Sequence, residues 1–233
     1  LSLDEAFCFD TFADRVADLV EKHVDIDRLL ELTAYQSDAS TSHLLTQSGE
    51  NTPPSLRISI ARDAAFNFAY EENIRLLHRL GKVTFFSPLK DTTLPASDFV
   101  YLPGGYPELY LSELSSNQPM LRSIRQYVEA GGRLLAECGG MMYLCNEIRS
   151  IEGTAYPMVG LFNQSATMEQ MKLRLGYRTL HYKDYTMKGH EFHYSRVLPC
   201  EEHLASVATA QTAKGVSVDT PLYRYKNVLA GYT

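Results

Sequence analysis

"GGRLLAECGGMMYL", residues 131–144, decides how the rest of the chain is read. Residues 131–137, "GGRLLAE", are a short apolar run bounded by glycine before and by Cys138-Gly139-Gly140 after, as expected of a buried strand. The text from Cys138 on, "CGGMMYLCNEI", opens a helix. Strand, tight turn and helix, with small residues two before and two after the cysteine, form the layout of a nucleophile elbow. The usual pattern has glycine at the first of those places, and here it is Ala136. At a helix start, free amides and the positive dipole end favour thiolate, and the amide of Gly139 is in place to hold an oxyanion. The same residues fit a second reading, since free cysteine is among the most buried residue types and Gly-Gly is ordinary turn chemistry.

Working outward, strands and helices alternate from residue 56. "LRISIA" (56–61) is a β-branched strand, followed by a helix from about Phe68 to Leu80 that Gly81 ends. "KVTFFSP" (82–88) is the second strand, and "DFVYLPGGYPELY" (98–110) gives a third that breaks at Pro103 into a glycine turn, with helical text to about residue 130. Beyond residue 157, alternating runs such as "KLRLGYRTLHY" and "GHEFHYSRV" read as antiparallel strands. The fold class expected is α/β: a mostly parallel open sheet with helices on both faces, flavodoxin-like, plus antiparallel strands added at one edge. Before it, Phe12, Val16, Leu19, Val20 and Val24 share one helical face, and a second short helix starts from a cap at Asp25 or Asp27. The Ser/Thr-rich stretch 36–55 reads as a linker.

The 233 residues are 45% hydrophobic and 21% charged with a formal net charge of −6, a globular balance without the basic excess of a nucleic-acid binder. No apolar run approaches the roughly 20 residues of a bilayer span, and "LSLDEAFCFD" is acidic where a signal peptide is basic, so a cytoplasmic protein is expected without nucleic-acid or membrane partners. Cys8, Cys138, Cys145 and Cys200 lack paired metal spacing, which suits a reduced compartment better than a disulfide framework or a metal site. Position 1 is not methionine, in keeping with a piece of a longer chain.

A thiol nucleophile needs a proton acceptor, and the chain has 7 histidines. His23, His43 and His78 lie in the leading helices, the linker and a helix middle, while His181 and His203 have no feature that presents them. In "GHEFHYS" (189–195), strand alternation puts His193, Glu191 and Gly189 on one face, making His193 the candidate base and Glu191 its neighbour. A core histidine satisfied by hydrogen bonds fits the same residues. In "LPGGYPE" (102–108), the pair Gly104-Gly105 can turn an amide toward a neighbouring site, or serve only to make the turn. The three sites together specify acyl transfer through a thioester far better than each does singly. No G-x-x-x-x-G-K-[ST] phosphate loop occurs in the sequence.

With "ARDAAFNFAYEEN" (61–73), "FFSPLKD" (85–91), "YLPGGYPELY" (101–110), "AECGGMMYL" (136–144) and "GHEFHYSRV" (189–197) in this order, the chain resembles the class I glutamine amidotransferases over about residues 56–231. The branch it resembles closely is the one found at the C-terminus of cobyrinic acid a,c-diamide synthases. The resemblance implies that Cys138 attacks the side-chain amide of glutamine with His193 as base and acid, and that Gly104, Gly105 and Gly139 form the oxyanion hole. Many class I members carry a glutamate two residues after the histidine. Here that place is Ser195, which leaves a Cys-His dyad helped by Glu191 or by a backbone carbonyl. Tyr106 and Asn67 are candidate glutamine-pocket residues. The resemblance further implies that residues 1–35 are the last helices of an ATP-dependent synthetase domain, that residues 36–55 link it to the glutaminase domain of residues 56–233, and that ATP and Mg belong to that synthetase domain and not to this chain. Glutamine and a corrin-precursor acceptor are the expected partners, and a homodimer is compatible with them. The glutaminase domains of cobyric acid synthase, nickel-sirohydrochlorin diamide synthase and the lipid II amidating enzyme, a catalytically silent regulatory domain, and a cysteine peptidase or chaperone-like relative on a similar scaffold are the rival readings.

Overall fold

In the computed structural model, residues 9–34, 56–200 and 204–233 are described. The chain divides into two units, Leu1–Thr52 and Pro53–Thr233. In the first, helix α1 (Phe9–His23) and helix α2 (Ile26–Thr33) form where the apolar spacing places them, and Asp25 caps α2 by accepting the amide of Arg28 at 3.0 Å. The apolar residues Phe12, Val16, Leu19, Val20 and Val24 are exposed. The expected linker 36–55, as well as Cys8, His43 and His203, lies outside the described residues.

The second unit is built on β-branched and aromatic runs that end at glycine or proline. Strand β1 (Leu56–Ala61) leads through helix α3 (Glu71–Leu80) to β2 (Gly81–Phe86); β3 (Phe99–Leu102) leads through a 3-10 turn, α4 (Leu111–Ser116) and α5 (Gln118–Glu129) to β4 (Arg133–Glu137), which runs into α6 (Gly139–Leu144). Next come β5 (Cys145–Arg149), β6 (Ala155–Pro157), β7 (Phe162–Thr167), β8 (Arg174–Tyr182), β9 (Tyr185–His193) and β10 (Arg196–Pro199). The last elements are β11 (Thr209–Thr212), β12 (Ser217–Val218), β13 (Leu222–Tyr225) and β14 (Val228–Gly231). The main sheet has the order β13-β14-β4-β3-β1-β2, parallel except for β13. This is the doubly wound 2-1-3-4 order, whose ligands sit beyond the carboxyl ends of the strands. Of the antiparallel strands expected at one edge, β13 takes that place. The others gather into two further sheets, β10-β7-β5-β6 and β12-β11-β8-β9.

Strand alternation sorts the core onto two faces. Ile58, Ile60 and Tyr101 meet Ile74 and Leu77 of α3, whereas Val100, Leu102, Leu134 and Ala136 meet Leu121, Ile124 and Val128 of α5 and Met141 and Leu144 of α6. Helices therefore cover both faces. Two boundaries differ from expectation. Helix α3 starts at Glu71 and not near Phe68, because the Phe68 amide is taken by the Gly104 carbonyl at 3.1 Å. Helix α6 stops at Leu144 and Cys145 turns extended, since Cys145 pairs with Phe162 of β7 and both are fully buried. An apolar run of "MMYLC" reads equally well as helix or strand until that partner arrives.

Leu102 is fully buried while Leu76 is 52% exposed. Leu102→Ala is expected to cost about 2–5 kcal/mol of unfolding free energy and Leu76→Ala less than about 0.5 kcal/mol, as read from urea denaturation midpoints at constant slope.

Candidate active site

Cys138 follows the last residue of β4 and has φ 49 and ψ −109, a left-handed backbone that non-glycine residues seldom adopt. Holding it there costs on the order of 1–3 kcal/mol, which the surroundings must supply. The Cys138 amide donates to the Gly231 carbonyl at 2.7 Å, its carbonyl accepts from Met142 at 3.1 Å, and the Gly140 amide donates to Pro103 at 3.1 Å. The following glycines are required by contact. A Cβ on Gly140 would stand 2.2 Å from the Leu102 carbonyl oxygen, and one on Gly139 would stand 2.7 Å from Pro107 Cδ and 3.2 Å from the Gly105 nitrogen. The elbow is thus pressed against the Pro103–Pro107 turn, with the Gly105 backbone beside Gly139.

That turn is held from behind by a residue to which the sequence assigns no role. Asp63 accepts from the amides of Ala65 at 2.9 Å and Leu89 at 2.9 Å and from the Ser87 hydroxyl at 2.8 Å. Ala65, so fixed, accepts from the Tyr106 amide at 3.0 Å, and its carbonyl oxygen would lie 2.1 Å from a Cβ on Gly105, whose φ is 156. Asn67, a candidate pocket residue, lines a separate cavity of about 90 Å³ with Arg62, Phe66 and Pro103, and Cys138 is not part of that lining.

The two thiols of the opening stretch part company. Cys145 is fully buried in the apolar core and donates to the Met141 carbonyl at 3.6 Å. Cys138 is only partly covered and lies 3.8 Å from the Phe192 carbonyl oxygen, one residue before His193. Burial above all, with the Glu108 carboxylate adding to it and the Gly139 amide offsetting part, pushes the Cys138 thiol up to about 12.

His193 and Glu191 share the inner face of β9, as alternation requires. His193 Nδ1 donates to the Ser195 carbonyl at 2.9 Å, and Nε2 lies 2.8 Å from Glu191 Oε1. Both supports expected for the imidazole, Glu191 and a backbone carbonyl, are therefore present, but neither ring nitrogen is turned to the thiol. The other oxygen of Glu191 accepts from Arg178 Nε at 2.5 Å and from Thr220 Oγ1 at 2.9 Å. Burial opposes the charge on Glu191, yet the bonds from His193 and Thr220 and the Arg178 guanidinium outweigh it and hold the carboxyl down at about 2. With that carboxylate ionised, both ring nitrogens face acceptors. Tyr232 lies flat on it, with ring centroids 3.5 Å apart and planes 6° off parallel. His193 and Tyr232 also border a cavity of about 350 Å³ shared with Arg174, Arg196 and Asp219.

The sequence offers no sign of Arg178, Thr220 or Tyr232, which reach the site from β8, the loop before β13 and the end of β14. Glu108 stands inside a motif already singled out, but nothing in its spacing points it at the sulfur.

The model for the CobB/CobQ-like glutamine amidotransferase domain matches residues 57–233. The chain belongs to that family. Among its relatives, the cobyrinate a,c-diamide synthase of Clostridium acetobutylicum is 40% identical over 229 residues, covering 94% of this chain and 50% of the relative. The cobyrinate a,c-diamide synthase of Picrophilus torridus is 37% identical over 229 residues, covering 94% and 48%. The hydrogenobyrinate a,c-diamide synthase of Pseudomonas aeruginosa is 42% identical over 151 residues, covering 64% and 35%. The chain spans about half the length of the first two relatives. In fold it is similar to PurLQS from Thermotoga maritima, with a TM-score of 0.50 and 15% identity over 74% of this chain and 84% of that one. A glutamine amidotransferase from the same organism has a TM-score of 0.50 and 12% identity over 76% of this chain and 74% of that one.

Two outcomes test the electrostatics of this glutamine amidotransferase domain. With its thiol neutral, Cys138 is expected to alkylate slowly at pH 7 and faster as the pH rises toward 12, and Glu108→Gln is expected to speed the reaction at fixed pH; mass spectrometry of the iodoacetamide-treated peptide reads both. The Glu191 carboxyl is depressed from 4.5 to about 2, so the stability linked to it is present above pH 4.5 and lost as the pH falls toward 2. Between pH 7 and pH 3 the urea midpoint should therefore fall more in the wild type than in Glu191→Gln.

Proposed function

We propose that this chain is the glutaminase half of a cobyrinic acid a,c-diamide synthase, releasing ammonia from glutamine through a thioester on Cys138. The observation that carries the reading is the left-handed backbone of Cys138 at the end of β4, with Gly139 and Gly105 packed beside it and the histidine-bearing strand against its sulfur. A sulfur lifted out of the sheet at that point leaves one side open to a substrate carbonyl.

The reaction takes the following course. The Nδ1 bond to Ser195 leaves Nε2 as the nitrogen that can serve the thiol. Nε2 exchanges Glu191 for the sulfur and takes the thiol proton. The Sγ–C bond forms at the glutamine side-chain amide, and the carbonyl electron pair moves to oxygen, held by the Gly139 amide and the Gly104-Gly105 turn. Collapse restores the carbonyl and breaks the C–N bond, and the imidazolium proton passes to the departing nitrogen to give ammonia. Water then attacks the thioester, releasing glutamate and returning the thiol.

The ammonia is used by an ATP-dependent synthetase domain that amidates corrin-precursor carboxylates. This rests on relatives named for cobyrinate and hydrogenobyrinate amidation, of whose length this chain spans half or less. Residues 1–35 are read as the last helices of that domain, and ATP and Mg as its cofactors. Their chemistry is assigned to that domain, since a phosphate loop is missing from this sequence. The neutral thiol and the engaged imidazole favour a glutaminase that is slow on its own.

Ammonia release from glutamine by the 233-residue chain, compared with Cys138→Ala, tests the reading. Loss of about a hundredfold or more in the variant is expected, and equal rates in the two would remove Cys138 as nucleophile.

A further inference from the structure

We propose that Tyr232 is a positioning residue for the Cys138–His193 pair, its ring lying on the imidazole at 3.5 Å while the residue before it, Gly231, holds the amide of Cys138 at 2.7 Å. The inference rests on Cys138 and His193 acting as proposed above.

Three contacts locate the imidazole. Glu191 holds the Nε2 edge at 2.8 Å, the Ser195 carbonyl holds the Nδ1 edge at 2.9 Å, and Tyr232 covers one face. The two edge contacts lie in the ring plane and resist tilting poorly, because the last torsion of a histidine side chain has a broad well. A flat aromatic neighbour removes that freedom. Tyr232 is itself fixed, since it is 5% exposed and its hydroxyl is 2.8 Å from that of Ser195. Ser195 therefore acts twice, through its carbonyl on the imidazole and through its hydroxyl on the tyrosine that covers the imidazole. At the place where many class I amidotransferases carry a glutamate, this chain closes a ring of contacts from His193 to Ser195 to Tyr232 and back.

The stacking also has an electrostatic consequence. An aromatic face attracts a cation, so it favours the imidazolium formed when the thiol proton is taken up. Gly231 and Tyr232 are adjacent at the end of β14, which pairs with β4 in register Ala230 to Ala136 and Gly231 to Glu137. The strand that presents the nucleophile and the ring that steadies the base are thus joined through one neighbouring strand end. Misplacing a reacting group by an ångström costs up to about a hundredfold in rate, so this link bears on turnover.

Tyr232→Leu and Tyr232→Phe separate positioning from packing. The readouts are ammonia release from glutamine and the ¹⁵N spectrum of His193, which reports which ring nitrogen carries a proton. Tyr232→Leu is expected to lower kcat about tenfold or more with KM changed less than about threefold, and to alter the His193 signature. Tyr232→Phe, which keeps the ring and loses the hydroxyl, is expected to recover kcat to within about threefold of wild type. The proposal is overturned if Tyr232→Leu lowers the melting temperature but leaves kcat per folded molecule and the His193 signature unchanged, or if Tyr232→Phe is no better than Tyr232→Leu. If the wild type neither releases ammonia nor is labelled at Cys138 by a chloroketone analogue of glutamine, the glutaminase reading fails by itself. The ¹⁵N spectra then still decide whether Tyr232 holds the imidazole, an unchanged signature in Tyr232→Leu overturning that role.

Discussion

A single strained residue organises the second unit. Cys138 can hold a left-handed backbone only because its amide is anchored to Gly231 and because Gly139 and Gly140 carry no side chain where Pro107 and the Leu102 carbonyl stand. From that constraint follow the close approach of the Pro103–Pro107 turn, the need for Asp63 and Ala65 to brace it, and the placement of β14 beside β4. Strain of this kind persists only where its surroundings over-determine it. Here the support comes from β3, β14 and the loop after β1.

The electrostatics divide the site into two halves. Around the sulfur, burial and the Glu108 carboxylate favour the neutral thiol. Around the imidazole, Glu191 is held ionised by bonds from His193 and Thr220 and by Arg178, and it lies 2.8 Å from His193 Nε2.

Much of this was legible in the residues. The β-branched run at 56–61 and the apolar run at 131–137, with glycine at its start and after Cys138, mark strands whose positions the structure keeps to within two residues. The alternation in "GHEFHYS" correctly puts Glu191 and His193 on one face. What could not be read is how separate strands exchange side chains. Arg178 and Thr220 lie 13 and 29 residues from Glu191, and no local rule links them to it. The end of α6 is a similar case, because "MMYLC" satisfies either period until Phe162 pairs with Cys145.

By itself, the sequence determined the alternation of strands and helices, the turn at Cys138 and the glycines that allow it, since these depend on side-chain period and on backbone freedom within a few residues. Only the tertiary structure decided the surroundings of the thiol, the partners of His193 and the stacking of Tyr232. Those depend on burial and on charges brought from distant strands, and distance along the chain carries no record of either.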